Sequence, residues 1–250
     1  MTGKGAPGIL GSEAVEPGVV LPETVSVVIP VFDGERFLGP AIESVLGQTR
    51  PPEEVLVVDD GSTDGSAAVA AKFGGRVRLL RQANQGAAAA RNLGVSAAVG
   101  TWLAFLDADD RWEEGKLERQ LDILRGEPGL DGVLGYIRQF ASPEHGPADG
   151  TAGRCEPMAG FHLDTMLIRR TSFLRVGLFD VSLRLGEAVE WFARARHLGL
   201  RLHLDREVAA WRRIHGTNLS IRERQASHQG LLSAVRANLA LRRRDRETGG

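Results

Sequence analysis

Two acidic clusters follow two strand-like apolar segments, at the point where each segment ends. Asp59–Asp60 comes directly after Val55–Val58, and Asp107–Asp110 comes directly after Trp102–Leu106. In open α/β sheets, ligands bind at the edge formed by the carboxyl ends of the strands. Carboxylates at that edge suit a hard cation, and such a cation can bridge to a diphosphate. The two clusters therefore predict a site for a metal ion and a phosphorylated ligand.

Composition and charge narrow the class of protein. The 250-residue chain is 42% hydrophobic and 25% charged, as in globular proteins, and its formal net charge of -1 gives no field to attract nucleic acid. The single Cys155 excludes an internal disulfide framework and fits a reducing compartment. The apolar runs are far shorter than the ~20 residues of a membrane span. We therefore expect a cytoplasmic protein with no nucleic-acid partner and at most peripheral membrane contact.

Strand-like and helix-like segments alternate regularly between Val25 and Arg125. Such alternation is typical of α/β proteins with a parallel sheet and right-handed crossovers. We therefore predict a single domain with a Rossmann-like, mostly parallel central sheet flanked by helices. The predicted strands are Val25–Val31, Glu54–Asp59, Val77–Leu80, Thr101–Leu106, Asp131–Gln139, Thr165–Arg169 and Leu200–Val208.

The rest of the chain is less regular. Residues 1–24 are predicted to be a disordered arm and no secretion signal, and residues 221–250 an amphipathic helix with a tail. The segment 141–160, rich in proline, glycine and acidic residues, is expected to be a mobile loop. Asp33 is expected to cap the first helix, and Thr63 or Asp64 to start the second.

Four segments of the first half resemble the motifs of family 2 glycosyltransferases, which have the GT-A fold. In chain order they are Val25–Leu38, Val57–Ser66, Gln82–Gly94 and Phe105–Asp110. Beyond Leu124 the resemblance is looser and rests on Val176–Asp180, Arg184–Glu187 and Trp211–Ser220. It implies inverting transfer of a sugar from a nucleoside-diphosphate donor, expected to be UDP- or TDP-linked, with Mn²⁺ or Mg²⁺ as cofactor. Residues 25–125 would form the nucleotide-sugar-binding half, and residues 126–220 the acceptor-binding and catalytic half.

The resemblance also implies roles for individual residues. The residues implied to bind the nucleotide are Pro30, Phe32, Asp60, Arg91 and Asp107. Among these, Asp60 would accept a hydrogen bond from a pyrimidine ring N–H, and Arg91 would lie near the phosphates. Asp107 and Asp109 match the family's Asp-x-Asp pair, with Asp109 implied as the direct metal ligand. His215 would reach the metal or the diphosphate from a late loop.

Ordinary structural roles compete with these assignments. The alternative for Asp60 is to cap the turn before the next helix, and the alternative for Arg91 is a solvated position near a helix start. The alternative for the carboxylates of Asp107 and Asp109 is a favourable interaction with the dipole at the start of a helix. For His162 and Asp164 the alternatives are a pair at a metal or sugar and a simple hydrogen bond within the loop.

The main departure from the family pattern is at Ala188. The family usually has Gly-Glu-Asp at the start of this helix, and its aspartate deprotonates the acceptor. Here the chain has Gly186, Glu187 and Ala188, and a methyl group cannot accept a proton. Around a helix, Glu187 points about 100° and Glu190 about 200° away from the Ala188 direction. Either catalysis is impaired, or Glu187 acts as the base in place of the missing aspartate.

Two other classes of function remain open. A nucleotide-sugar-binding module without catalysis is consistent with Ala188. A nucleotidyltransferase would have similar metal carboxylates, but such enzymes usually carry a basic, glycine-rich loop after the first strand. Here that place holds Val31–Arg36, which argues against this class. The acceptor, whether a glycan, a lipid-linked sugar, a peptide or a small molecule, is not determined by the sequence.

Overall fold

The computed structural model describes residues 23–142 and 156–215. The strands in these ranges are β1 Val25–Val31, β2 Glu54–Asp59, β3 Arg78–Arg81, β4 Trp102–Phe105, β5 Arg111–Trp112, β6 Gly132–Ala141, β7 Met158–Ala159, β8 Leu167–Arg169 and β9 Leu202–Ile214. The helices are α1 Glu35–Leu46, α2 Ser66–Ala71, α3 Ala87–Ala97, α4 Lys116–Gly126, α5 Arg170–Val176 and α6 Glu187–His197. The predictions for the N-terminal arm, the C-terminal helix and most of the loop 141–160 lie outside the described residues.

The strands form one mixed sheet with the order β3-β2-β1-β4-β8-β6-β9-β5, and β7 pairs with β6. The first four strands are parallel to one another. Strand β8 then runs antiparallel to both β4 and β6, whereas β6 and β9 are parallel. The predicted Rossmann-like α/β sheet flanked by helices is confirmed. Because β1, β2 and β4 are parallel neighbours, their carboxyl ends lie along one edge.

Each face of the parallel strands packs into its own hydrophobic core. Val27 and Ile29 belong to one core with residues of α1 and α4, and Val28 belongs to the other with residues of α3, α5 and α6. This alternation is the two-residue period of a strand that is buried on both faces. A side chain at Gly94 of α3 would clash with Val28. Glycine at this position therefore lets α3 lie close against β1.

The loops that follow β1 and β2 hydrogen-bond to each other, whereas the sequence predicted that their polar residues would start the helices that come next. Asp33 does not cap α1: its backbone is left-handed with φ 48°, and its carboxylate accepts hydrogen bonds from Thr63 N at 2.7 Å and Thr63 Oγ1 at 3.2 Å. In return, the Asp64 carboxylate accepts from Glu35 N at 2.9 Å. Helix α2 begins at Ser66 rather than at Thr63 or Asp64. The polar residues of each loop thus bind the backbone of the other, which a local capping rule does not foresee.

Strand β9 is longer than predicted. It continues to Ile214, and its second half pairs antiparallel with the short β5, opposite Arg111 and Trp112. Strand β5 has only two residues and was not predicted, because so short a segment carries no alternating pattern. This pairing places the end of β9 beside the loop that follows β4.

Candidate functional site

Three carboxylates converge beyond the end of β4. Oxygen atoms of Asp107, Asp110 and Asp164 all lie within 4.8 Å of one another, and we call this cluster the acidic triad. Asp107 and Asp110 belong to the loop after β4, whereas Asp164 belongs to the turn Leu163–Thr165 before β8. Asp107 N donates a hydrogen bond to Asp164 Oδ1 at 2.8 Å. The antiparallel pairing of β4 with β8 brings these two segments together.

The acidic triad is crowded, with Asp110 and Asp164 buried and Asp107 partly exposed. Burial raises the pKa of Asp164 to about 7, together with the negative charge of Asp107, although hydrogen bonds with the Asp110 side chain and Asp107 N oppose the shift. Burial also raises the pKa of Asp110 well above its usual range, and the charges of Asp164, Asp109 and Asp107 add to the effect. A divalent cation would remove this mutual repulsion, and oxygen-only donors suit Mg²⁺ or Mn²⁺. The donor set therefore fits the expected cofactor.

Asp109 and His215, the two residues predicted to bind metal, lie together beside the triad. His215 Nε2 is 2.9 Å from Asp109 Oδ2, and the imidazole lies against the Phe37 ring at 4.6 Å between centroids. The end of β9 is held to the same loop, since Arg213 Nε donates to Asp109 O at 3.0 Å and Arg213 N to Asp110 Oδ1 at 2.7 Å. The metal role of Asp109 and His215 remains a prediction.

Arg91 connects the triad to the start of α6. Arg91 is only 5% exposed, and its guanidinium donates from Nη2 to Asp107 Oδ1 at 2.5 Å and from Nη1 to Glu187 Oε1 at 2.6 Å. Burial alone would lower the pKa of Arg91, but the charges of Asp107 and Glu187 outweigh burial and raise it, so the guanidinium stays protonated. The alternative of a solvated arginine is therefore wrong. Arg91 fixes Asp107 and Glu187 relative to each other.

Asp60 organises the loop ahead of α3. The buried carboxylate accepts hydrogen bonds from Gln82 Nε2 at 2.7 Å, Gln85 N at 2.9 Å and Gly86 N at 2.8 Å. The turn immediately after β2 is capped by Asp59 instead, whose Oδ1 accepts from Ser62 N at 2.8 Å. The local capping role considered for Asp60 therefore belongs to its neighbour. Recognition of a nucleotide base by Asp60 stays a prediction.

The two residues expected beside the base differ in exposure. Pro30 is buried within β1, while Phe32, just past the end of that strand, is 51% exposed. An exposed aromatic ring at the sheet edge offers a flat surface on which a base can stack. Phe32 is therefore the better placed of the two for direct contact with a ligand.

The first turn of α6 contains Ala188, the residue predicted to stand where the family usually has an aspartate. Gly186 precedes the helix in the left-handed conformation with φ 90°, and Glu187 is held by Arg91. Ala188 is half-buried and packs against the second core. Glu190 forms an ion pair with Arg194 Nε at 2.6 Å. Both nearby glutamates are thus already engaged by arginines.

The pairing considered for His162 and Asp164 is not the arrangement found. The Asp164 side chain faces Asp107 and Asp110, while the main-chain oxygen of His162 accepts hydrogen bonds from Thr165 N at 3.2 Å and Thr165 Oγ1 at 2.9 Å. Burial lowers the pKa of His162, and nearby Arg212 adds to this, whereas Asp107 opposes it. Asp164 had been considered at a metal only together with His162, and its place beside Asp107 and Asp110 was not predicted, because no local signal in the sequence links this turn to the loop after β4.

Solved structures with the same fold place the chain among GT-A-type proteins. Staphylococcus aureus TarS 1-349 in complex with UDP superposes with a TM-score of 0.67 at 17% identity, covering 87% of this chain and 65% of TarS. The complex of the same protein with UDP-GlcNAc gives a TM-score of 0.65 at 19% identity, covering 78% and 60%. At these identities the likeness establishes the fold, and it confirms the predicted GT-A class.

The chain belongs to glycosyl transferase family 2, whose sequence model matches residues 26–160. An uncharacterised glycosyltransferase of Rickettsia prowazekii is 30% identical over 205 residues, or 76% of this chain and 64% of the relative. Glycosyltransferase GlyG of Streptococcus pneumoniae is 39% identical over 122 residues, or 47% and 40%. The matched segment covers only 17% of the length of another relative, an uncharacterised glycosyltransferase of Rickettsia felis.

Among the described residues, no helix combines the length and apolar character needed to cross a membrane.

Proposed function

We infer that this chain binds a nucleoside-diphosphate sugar at the acidic edge of its sheet and acts as a metal-dependent, inverting glycosyltransferase. The observation that carries the proposal is the acidic triad, linked through buried Arg91 to the first turn of α6, in a chain of glycosyl transferase family 2. TarS, which shares the fold, has been crystallised with UDP and with UDP-GlcNAc. We therefore propose a UDP- or TDP-linked donor.

The acidic triad would hold the divalent cation, with Asp109 and His215 beside it. When bound, Mn²⁺ or Mg²⁺ supplies positive charge that stabilises the diphosphate leaving group. Without a cation, the clustered carboxylates would repel a diphosphate. Arg91 contributes a permanent positive charge and keeps Asp107 in position.

The catalytic base is the incomplete part of this site. In the family pattern an aspartate stands where this chain has Ala188, so no carboxylate is present at that position to deprotonate the acceptor. Glu187 is only partly exposed and is bound by Arg91, which favours a positioning role for it over a catalytic one. We therefore propose that the chain as it stands transfers sugar slowly.

A nucleotide-sugar-binding module without catalysis is the second candidate function, and Ala188 is the observation that favours it. A nucleotidyltransferase is disfavoured by the family to which the chain belongs. The two remaining candidates share a donor site and differ only in turnover. They are separated by the rate measurements described in the Discussion.

We predict that UDP and TDP bind more tightly than GDP and ADP, by about 1–3 kcal/mol, because the wrong base leaves one acceptor site of the buried Asp60 carboxylate without a hydrogen bond. Of the roughly four lone-pair sites on the Asp60 carboxylate, three accept hydrogen bonds from the chain, which leaves one for a pyrimidine ring N–H. Calorimetric titration of all four nucleotides in the presence of Mn²⁺ measures the difference.

The substitution Asp60→Asn should remove the selectivity. Asp59→Asn is the matched control, since Asp59 is also buried but its carboxylate contacts Ser62 N and Arg81 Nε instead. Equal affinity for the four nucleotides would remove the role assigned to Asp60. If none of the four nucleotides binds, the proposed function itself is wrong.

A further inference from the structure

Three side chains of β5 and α4 form hydrogen bonds with the main chain of the turn that carries Asp164. Each donates to one of three consecutive main-chain carbonyls in Asp164–Met166. The contacts are Trp112 Nε1 to Asp164 O at 2.8 Å, Gln120 Nε2 to Thr165 O at 2.8 Å and Lys116 Nζ to Met166 O at 3.4 Å. We call these three donors the carbonyl clamp.

The carbonyl clamp is buried and internally connected. Lys116 and Gln120 have no exposed surface, and Trp112 is 4% exposed. Lys116 Nζ also donates to Gln120 Oε1 at 3.0 Å and lies 4.1 Å from the centroid of the Trp112 ring. Burying a lysine is costly, and an apolar side chain would fill the same space without that cost. Satisfying carbonyl groups needs only one donor each, so a buried set of donors that are also linked to one another indicates a requirement for rigidity.

The part of the molecule that this rigidity serves is the Asp164 side chain. Its Oδ1 accepts from Asp107 N at 2.8 Å, and its oxygens lie within the acidic triad. Asp164 comes from a different segment than the other two members, so its position depends on how the turn is held. Groups that orient the ligands of a metal site typically set its affinity as well.

We propose that Trp112, Lys116 and Gln120 are positioning residues that fix the Asp164 turn and thereby set the affinity of the acidic triad for a divalent cation. The inference rests on the metal site of the proposed function. It goes beyond that function by assigning a role to three residues outside the acidic triad.

The test is a titration of the full chain with Mn²⁺ alone, in which electron paramagnetic resonance measures the concentration of the free ion. Gln120→Met removes one clamp donor and keeps the length of the side chain, and it should weaken Mn²⁺ binding by about 10–100-fold. Trp191→Phe is the matched control. Trp191 is also buried and its indole N–H donates to a main-chain carbonyl, Gly177 O at 2.8 Å, which lies outside the Asp164 turn. The variant should lose thermal stability while binding Mn²⁺ as the unaltered chain does.

Trp112→Phe provides a second variant, which removes the bond to Asp164 O, keeps an aromatic ring beside Lys116 and should also weaken Mn²⁺ binding. If both clamp variants fold and bind Mn²⁺ as tightly as the Trp191→Phe control, the carbonyl clamp supports only the fold and the inference is wrong. If the unaltered chain binds no Mn²⁺, the metal site of the proposed function is wrong, and the inference fails with it.

Discussion

Replacing Ala188 with aspartate should raise the rate of sugar transfer by about 10²–10⁴-fold, the usual contribution of a general base. The new carboxylate would stand in the first turn of α6, where the helix dipole favours its ionised form. Affinity for the donor should hardly change, because the proposed diphosphate contacts lie on Arg91 and the acidic triad. The expected signature is therefore a higher kcat at similar donor affinity, measured as UDP released from a UDP-sugar.

Val189→Asp is the matched control for this gain. It places a carboxylate one residue further along the same helix, at an exposed position, and about 100° away from the Ala188 direction. It should leave the rate unchanged. If Glu187 is the working base instead, Glu187→Gln would abolish activity and Ala188→Asp would add little, and the impaired-base account would be wrong. No turnover by either the unaltered chain or Ala188→Asp would favour the non-catalytic module.

Replacing Arg91 with methionine should destabilise the fold by about 3–5 kcal/mol, the usual cost of removing one partner from a buried ion pair. The substitution would leave Glu187 and Asp107 without the guanidinium that contacts both, and it would release the first turn of α6 from the acidic triad. Urea denaturation followed by circular dichroism measures the change in the free energy of unfolding.

Arg125→Met is the control for this effect. Arg125 is half-exposed and pairs with Glu23 and Asp122 at the surface, where an ion pair contributes about 0–1 kcal/mol. A loss for Arg91→Met as small as that of Arg125→Met would show that Arg91 does not link the triad to α6. In that case the assignment of Glu187 to a positioning role would also lose its support.

The parallel half of the fold was predictable because its strands carry strong local signals. The observed bounds of β1 and β2 are the predicted ones, since both are short, apolar, β-branched runs buried on both faces. The acidic residues after β2 and β4 led to the prediction of a ligand site at this edge. The GT-A class was implied by the resemblance to family 2 glycosyltransferases, which is strongest in this half.

Features that depend on segments distant in the sequence were not predictable in this way. Asp164 joins the acidic triad only because β8 pairs antiparallel with β4, and nothing in the turn itself indicates that pairing. The burial of Arg91 depends on the first turn of α6, and the burial of His215 on the unforeseen length of β9. Asp33 binds the neighbouring loop rather than its own helix, so its local capping signal was misleading.

The most direct test of the account is a calorimetric titration of the full chain with UDP, once with Mn²⁺ and once with EDTA. A cation held by the acidic triad should make UDP bind about tenfold more tightly or better, a difference of at least ~1.4 kcal/mol. Asp109→Ala should abolish this dependence if Asp109 is a direct ligand. Equal affinity for UDP in Mn²⁺ and in EDTA would contradict the central claim that this edge of the sheet is a metal-dependent diphosphate site.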